Sequence, residues 1–343
     1  MGTRRRRVSV IYFISKLVKW DDLPMDIISN PTQVEIKKAA QALKEGHLVA
    51  FPTETVYGLG ADATNEKAVS RVYSVKGRPV EHPLIVHISS VNQLSNWAID
   101  IPEYALKLAT EFWPGPMTLI LKRSHLAKDF ITGGQNYVAI RVPDNPIALA
   151  LLENFENKHS SGIVAPSANR FGAVSPTSAI AVMAELGDHL SNSDLILDGG
   201  NCSVGIESTI IDATTEYPRI IRPGAVTSEL IAKHIGVIIS FDNSKSYIRA
   251  SGLLKSHYSP KAKLSLKYPV NPGDGFIALE NIPTPLGAIR LAAPKTIEQY
   301  ANELYAALRS GDERSLKHVI AIEPIGAGVA EAIRDRLGKA SSK

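Results

Sequence analysis

The chain has 343 residues, 44% hydrophobic and 21% charged, a balance that suits about two globular domains and excludes disorder, coiled coil and collagen. Lysine and arginine outnumber aspartate and glutamate by 38 to 34, and Arg4, Arg5, Arg6 and Arg7 account for the whole excess, so the body lacks the charge of a protein that coats nucleic acid non-specifically. The single cysteine, Cys202, can form neither an internal disulfide nor a zinc knuckle, which points to a reducing, cytoplasmic setting.

Residues 1–30 read as a basic extension. The four arginines and the apolar run VSVIYFI imitate a secretion signal, but the run stops at Ser15 and Lys16 and no small-residue cleavage site follows. No stretch approaches the ~18 apolar residues of a membrane span, so neither export nor anchoring is expected. Thr32 and Glu35 have the spacing of a capping box, and the helix they open runs to Gly46. Strands are predicted at Leu48–Phe51, Leu84–Ile88, Met117–Leu121, Val138–Val142, Ile163–Ala165, Leu195–Leu197, Ser208–Ile211 and Arg219–Ile221. Helices are predicted at Asn65–Val75 and near 102–111, 145–154, 176–187 and 227–235. The alternation is not a strict βαβ series, so residues 31–236 are expected to fold as an α/β domain on a twisted mixed sheet. Residues 237–261 are polar and turn-rich and read as a long linker. A smaller α/β domain, 262–343, follows, with strands at Phe276–Leu279, Ala288–Leu291 and His318–Ile322 and helices near 296–309 and 328–337.

Chemistry-bearing residues gather where strands and helices end. Lys76-Gly77-Arg78-Pro79 closes a helix, where cations often serve only the negative helix end, yet Pro79 and Pro83 stiffen the loop that aims them. His82 and His87 lie nearby, although a histidine in a strand such as LIVHI is usually a satisfied core residue. Pro166-Ser167-Ala168-Asn169 follows a strand, at the edge where open α/β sheets bind ligands. Ser175-Pro176 is expected to start a helix, either as a phosphate seat or as an ordinary cap. Arg222, at a strand end beside Gly224, suits fork-like holding of phosphate or carboxylate. Walker, GxSxG and zinc patterns are missing. An inventory of cations and hydroxyls suits a protein that orients a nucleotide and neutralises its phosphates, with little covalent participation.

From about residue 31 the chain resembles the YrdC-like family in its two-domain form, the threonylcarbamoyl-AMP synthases. Lys76-Gly77-Arg78 matches the family's KxR element and Ser167-Ala168-Asn169 its SxN element. PTETVYGLG, WPGPMTLIL, VAIRVP, GIESTIID and RPGA occur in the family's order. The resemblance implies a YrdC-like catalytic domain with a smaller Rossmann-like domain. It implies that L-threonine, bicarbonate or CO2, and ATP give threonylcarbamoyl-adenylate and pyrophosphate, with Mg2+ and no tightly bound organic cofactor. The product would pass to a tRNA threonylcarbamoyl transferase complex, which modifies the adenosine beside the anticodon. By motif position, Thr55, His87, Arg141, Ala165 and Ser208 would hold threonine. Lys76, Arg78, His82, Tyr137, Ser167, Asn169, Ser175 and Arg222 would meet ATP, with Lys76, Arg78 and Arg222 offsetting charge in the reaction. Tyr258, in the linker's HYSP element, would close over the nucleotide, so the linker is expected to matter more to the site than the small domain does.

The chain departs from the pattern at His82, where some relatives carry asparagine, and at Ala250-Ser251-Gly252-Leu253, where many read SPGM. The competing readings are a non-catalytic RNA-binding module of the same fold and a carbamoyl-adenylating domain serving metal-centre maturation. The resemblance also leaves room for weak RNA binding.

Overall fold

The computed structural model describes residues 27–156, 161–236, 248–254 and 257–342. The arginine run, the VSVIYFI stretch and linker residues 237–247 and 255–256 lie outside the described residues.

The capping box forms as its spacing predicts: the Thr32 amide donates to Glu35 Oε2 at 2.7 Å, and Thr32 Oγ1 accepts from the Glu35 amide. The helix Gln33–Lys44 turns Ile36, Ala39, Ala40 and Leu43 inward, against Ala148, Leu151 and Leu152 of the helix Pro146–Phe155. Small residues spaced three and four apart allow that close helix pairing.

The large sheet is mixed, as expected. Strands β1 (Ile27–Ser29), β9 (Leu195–Asp198), β2 (Val49–Phe51), β3 (Gly58–Asp62), β8 (Ile163–Val164), β4 (Ile85–His87), β7 (Tyr137–Arg141), β6 (Met117–Arg123), β10 (Thr209–Asp212) and β11 (Arg219–Arg222) lie side by side in that order. The short strand β5 (Ala98–Ile99) pairs with β6. Ile27–Ser29, which composition assigned to the basic extension, is instead the parallel edge partner of β9. β3 also escapes the sequence pattern because two of its five residues are glycine. At Gly60 the reason is contact: a Cβ would lie 2.9 Å from the Phe51 ring and 3.0 Å from Ile163. The helix expected over 176–187 begins later, at Ala179, with Ser178 as its cap. Ser175 therefore does not sit at a helix start.

The small domain carries a four-stranded parallel sheet, in the order β12 (Lys263–Ser265), β15 (His318–Ala321), β13 (Gly275–Ile277), β14 (Ile289–Ala292). Its helices Ile297–Glu313 and Val329–Ser341 supply most of its core. That core does not stop at the domain boundary. Val56, Val174 and Ile206 of the first domain pack in one cluster with Tyr258, Leu304, Tyr305 and Ile333.

Candidate active site

The helix Glu66–Lys76 ends at Gly77, whose φ of 61° is left-handed and whose Cβ, were there one, would lie 2.8 Å from the Arg170 guanidinium. The two flanking cations consequently diverge. Lys76 turns inward, is buried, and donates from Nζ to the Ser167 and Asn169 carbonyls, 2.5 Å each. Burial, reinforced by Arg78, drives its pKa well below that of an ordinary lysine. Arg78 turns the other way: Nη2 donates to the Pro83 carbonyl at 2.9 Å and to Ser251 Oγ at 3.1 Å, with the guanidinium over the Phe171 ring. Burial lowers its pKa to about 10, so it stays a cation at neutral pH.

Two further guanidiniums arrive from strand ends. Arg222 closes β11, donates from Nε and Nη2 to the Ser208 carbonyl at 3.0 and 2.8 Å, and reaches the Ser251 carbonyl through Nη1 at 2.8 Å. Arg141 closes β7, donates to Thr55 Oγ1 at 2.9 Å and pairs with Glu54 at 2.6 Å, both partners being buried. His87, one strand over, is buried against the Ile85 carbonyl. Burial and Arg141 push its pKa down to about 3, so the imidazole is neutral at physiological pH.

These side chains converge on one cavity. Thr55, Arg78, His87, Arg141, Ala165, Ser167, Ser208, Arg222 and Tyr258 all line it, although they come from eight separate stretches of chain. Five residues expected at the site lie outside the lining. Lys76 braces the Ser167–Asn169 turn from behind. Asn169 donates through Nδ2 to the Arg170 and Ala173 carbonyls, which fixes the same turn. Ser175 donates to Glu207 Oε1 at 2.6 Å. His82 is half-buried with its ring edge against Phe171, its pKa lowered by burial and by Arg78. Tyr137 packs among Ile85, Ile248 and Leu253.

The cavity has only about 40 Å³ of water-accessible space, enough for a few waters and far short of a nucleotide. Linker residues Ser251, Gly252, His257 and Tyr258 form part of its wall. Ser251 offers its hydroxyl to Arg78 and its carbonyl to Arg222, so it engages the cations through oxygen atoms, as a phosphate would. The linker re-enters at Tyr258, which is buried, stacked on Tyr305 and beneath the Arg336 guanidinium. Just downstream it is pinned by the Ser259 amide donating to the Gly172 carbonyl at 2.9 Å.

Several participants had no role in the motif reading, among them the carboxylate of the GIESTIID stretch. Glu207 lines the cavity between Ser175, Tyr305 and Arg336. Tyr305 and Arg336 belong to the small domain, which therefore reaches the site through side chains as well as through its linker. A signal for Arg336 exists: it shares a helical face with Ala332, Ile333, Leu337 and Ala340, where a buried cation needs a partner. Arg141 Nε, His257 Nδ1 and the Tyr258 hydroxyl are buried around the cavity without a protein hydrogen-bond partner.

Among the described residues no cluster of three acidic, histidine or cysteine side chains is placed to hold a metal ion. The cavity's carboxylate, Glu207, already has both oxygens engaged. This donor set does not build a protein-held magnesium site. Among the same residues, no helix is long and apolar enough to cross a membrane.

Two family models match the chain. One, described as telomere recombination (Sua5/YciO/YrdC), spans residues 41–224, and one described as threonylcarbamoyl-AMP synthase, C-terminal domain, spans 226–342. A threonylcarbamoyl-AMP synthase of Pyrococcus abyssi is 40% identical over 330 residues, covering 90% of this chain and 94% of the relative. One of Bacillus subtilis is 37% identical over 343 residues, covering 93% and 96%. The crystal structure of P. abyssi Sua5 complexed with L-threonine superposes with a TM-score of 0.83 at 38% identity, covering 92% of this chain and 98% of that one.

Proposed function

The chain belongs to the Sua5/YrdC family in its two-domain form, and on that premise we propose that it makes L-threonylcarbamoyl-adenylate and pyrophosphate from L-threonine, bicarbonate or CO2, and ATP. The observation that carries the reading is the meeting of three buried guanidiniums, Arg78, Arg141 and Arg222, in one cavity with the hydroxyls of Thr55, Ser167 and Ser208.

Each guanidinium has a task that its surroundings suit. Arg141, steadied by Glu54 and Thr55, presents a fork to the threonine carboxylate. His87, Ala165 and Ser208 complete that end of the cavity. The threonine nitrogen bonds to the carbon of CO2 and gives up a proton, leaving a carbamate. A carbamate oxygen then attacks the α-phosphorus of ATP as the bond to the β-phosphate oxygen breaks and pyrophosphate leaves. Two anions must approach each other, and Arg78 and Arg222 offset their repulsion in a water-poor site. Ser167 contacts the nucleotide directly, and Lys76 and Asn169 act by holding the turn that presents it. His82, Tyr137 and Ser175 border the nucleotide from outside the present lining. Magnesium belongs to this scheme as part of the ATP substrate. No side chain is assigned as general base: both histidines of the lining, His87 and His257, are kept neutral by burial with pKa values of about 3, and Glu207 is fully engaged.

For ATP to enter, residues 251–254 must withdraw from Arg78 and Arg222. Their return, with Tyr258, would exclude water from a carbamate that water destroys. Delivery of the product to a tRNA-modifying transferase, in the cytoplasm, completes the reading. The test is pyrophosphate release by the full chain. Release that requires both threonine and bicarbonate supports the synthase; release that needs neither, or none despite tight RNA binding, overturns it.

A further inference from the structure

A carboxylate in the wall of a cavity that receives phosphates is electrostatically adverse, and Glu207 is one. It shares the lining with Arg78 and Arg222, and among the described residues no other acid lines that cavity. Its charge is contained from behind. Oε1 accepts from Ser175 Oγ at 2.6 Å; Oε2 accepts from Tyr305 at 2.9 Å and from Arg336 Nε at 2.7 Å. Arg336 is completely buried, and its other donors go to the Pro223 carbonyl and to Asp335. Burial alone would favour a neutral carboxyl, yet Arg336 and Arg222 hold the Glu207 pKa at about 2, so the group is ionised.

We propose that Arg336 is a positioning residue which masks Glu207, so that the small domain sets affinity for the nucleotide's phosphates without touching them. The inference rests on the synthase reading. With Arg336 gone, Glu207 still feels the charge of Arg222, which would be drawn toward it and away from phosphate. A carboxylate left bare would repel the triphosphate directly. Both routes weaken ATP binding, and neither runs through Arg141, His87 or Thr55; of the residues assigned to threonine only Ser208, which Arg222 hydrogen-bonds, adjoins them.

The experiment compares full-length wild type, Arg336→Met, Glu207→Gln, the double variant and Arg336→Lys, reading ATP and threonine affinity by calorimetry and folding by thermal unfolding. Arg336→Met should bind ATP about tenfold or more weakly, with threonine affinity falling less than ATP affinity does. Arg336→Lys should recover part of the loss. The double variant should bind ATP about tenfold better than Arg336→Met. Adding Arg336→Met to Glu207→Gln should change ATP affinity less than about twofold, a comparison that stands even if Arg336→Met alone fails to fold. ATP affinity unchanged in Arg336→Met overturns the proposal, as does a double variant about tenfold weaker than Glu207→Gln. A wild type that binds no ATP overturns the synthase reading itself, which separates the two failures.

Discussion

At Gly252 the chain passes against the Tyr258 hydroxyl. The glycine's φ is +80°, and a Cβ there would collide with the Tyr258 hydroxyl and lie 3.2 Å from the Arg222 side chain. In Gly252→Ala the left-handed backbone alone costs about 1 kcal/mol, and the collision forces either Tyr258 or the linker to move. Tyr258 is fully buried between Tyr305 and Arg336, and re-exposing about 150 Å² of aromatic surface costs about 4 kcal/mol at 25 cal/mol per Å². Lifting residues 251–254, with 248–250 still held by Gln135, Gly133 and the packing of Ile248, forfeits the hydrogen bonds from Arg78 and Arg222 to Ser251, about 3 kcal/mol for the two, part of which water returns. The linker is therefore the side that yields. Gly252→Ala should keep its fold, become cleavable by protease within 251–254, and bind ATP as well as or better than wild type because Arg78 and Arg222 are released. Turnover to threonylcarbamoyl-adenylate should fall about tenfold or more, because the carbamate is no longer shielded. Native-state proteolysis, ATP calorimetry and product assay read the three quantities. Wild-type protease resistance together with wild-type turnover would refute the reasoning.

The two cations of the KGR element should separate by assay. Lys76→Met should lower stability by about 3 kcal/mol, since a buried and a part-buried carbonyl lose their donor, whereas Arg78→Ala should cut kcat by orders of magnitude with a small stability loss; urea titration beside steady-state kinetics checks both. Glu54→Gln should raise KM for threonine several-fold and leave KM for ATP unchanged, because Arg141 loses the partner that orients it. Stability should also fall on acidification from pH 6.5. His87 and His257 are held at about 3 in the fold, so the unfolded chain takes up protons first. Each histidine then removes up to about 1.4 kcal/mol per pH unit until the folded pKa is reached. Glu207, held at about 2, adds its loss only below its ordinary carboxylate range. Urea unfolding at pH 7, 6 and 5 should show this slope, shallower in His257→Gln; a flat profile would contradict the burial of both rings.

Features written into short stretches of sequence were legible. The Thr32–Glu35 box, the Gly77 stop and the apolar runs of β4, β6 and β7 each carry their own physical reason within a few residues. Arg78 and Arg222 were also accessible, because both sit where an element ends, whereas Arg141 came only from the family resemblance. What escaped depends on partners far along the chain. β1 is a strand because β9 lies beside it, and β3 because Phe51 and Ile163 leave no room for side chains at Gly60. Lys76 and Arg78 are two residues apart in one motif, and only the fold reveals that one braces a turn while the other faces the cavity. Glu207 and Arg336, 129 positions apart, carry no mutual signal in a single sequence.

Val56, Val174 and Ile206 share their packing with Tyr258, Leu304 and Tyr305. Two bodies by topology are thus joined by a common dry seam, and that seam starts one residue from Thr55. Cutting the chain after its first domain would leave this apolar seam wet, a sticky surface beside Thr55 and the cavity it lines. The halves are separable on paper, but in water each serves as the other's missing wall.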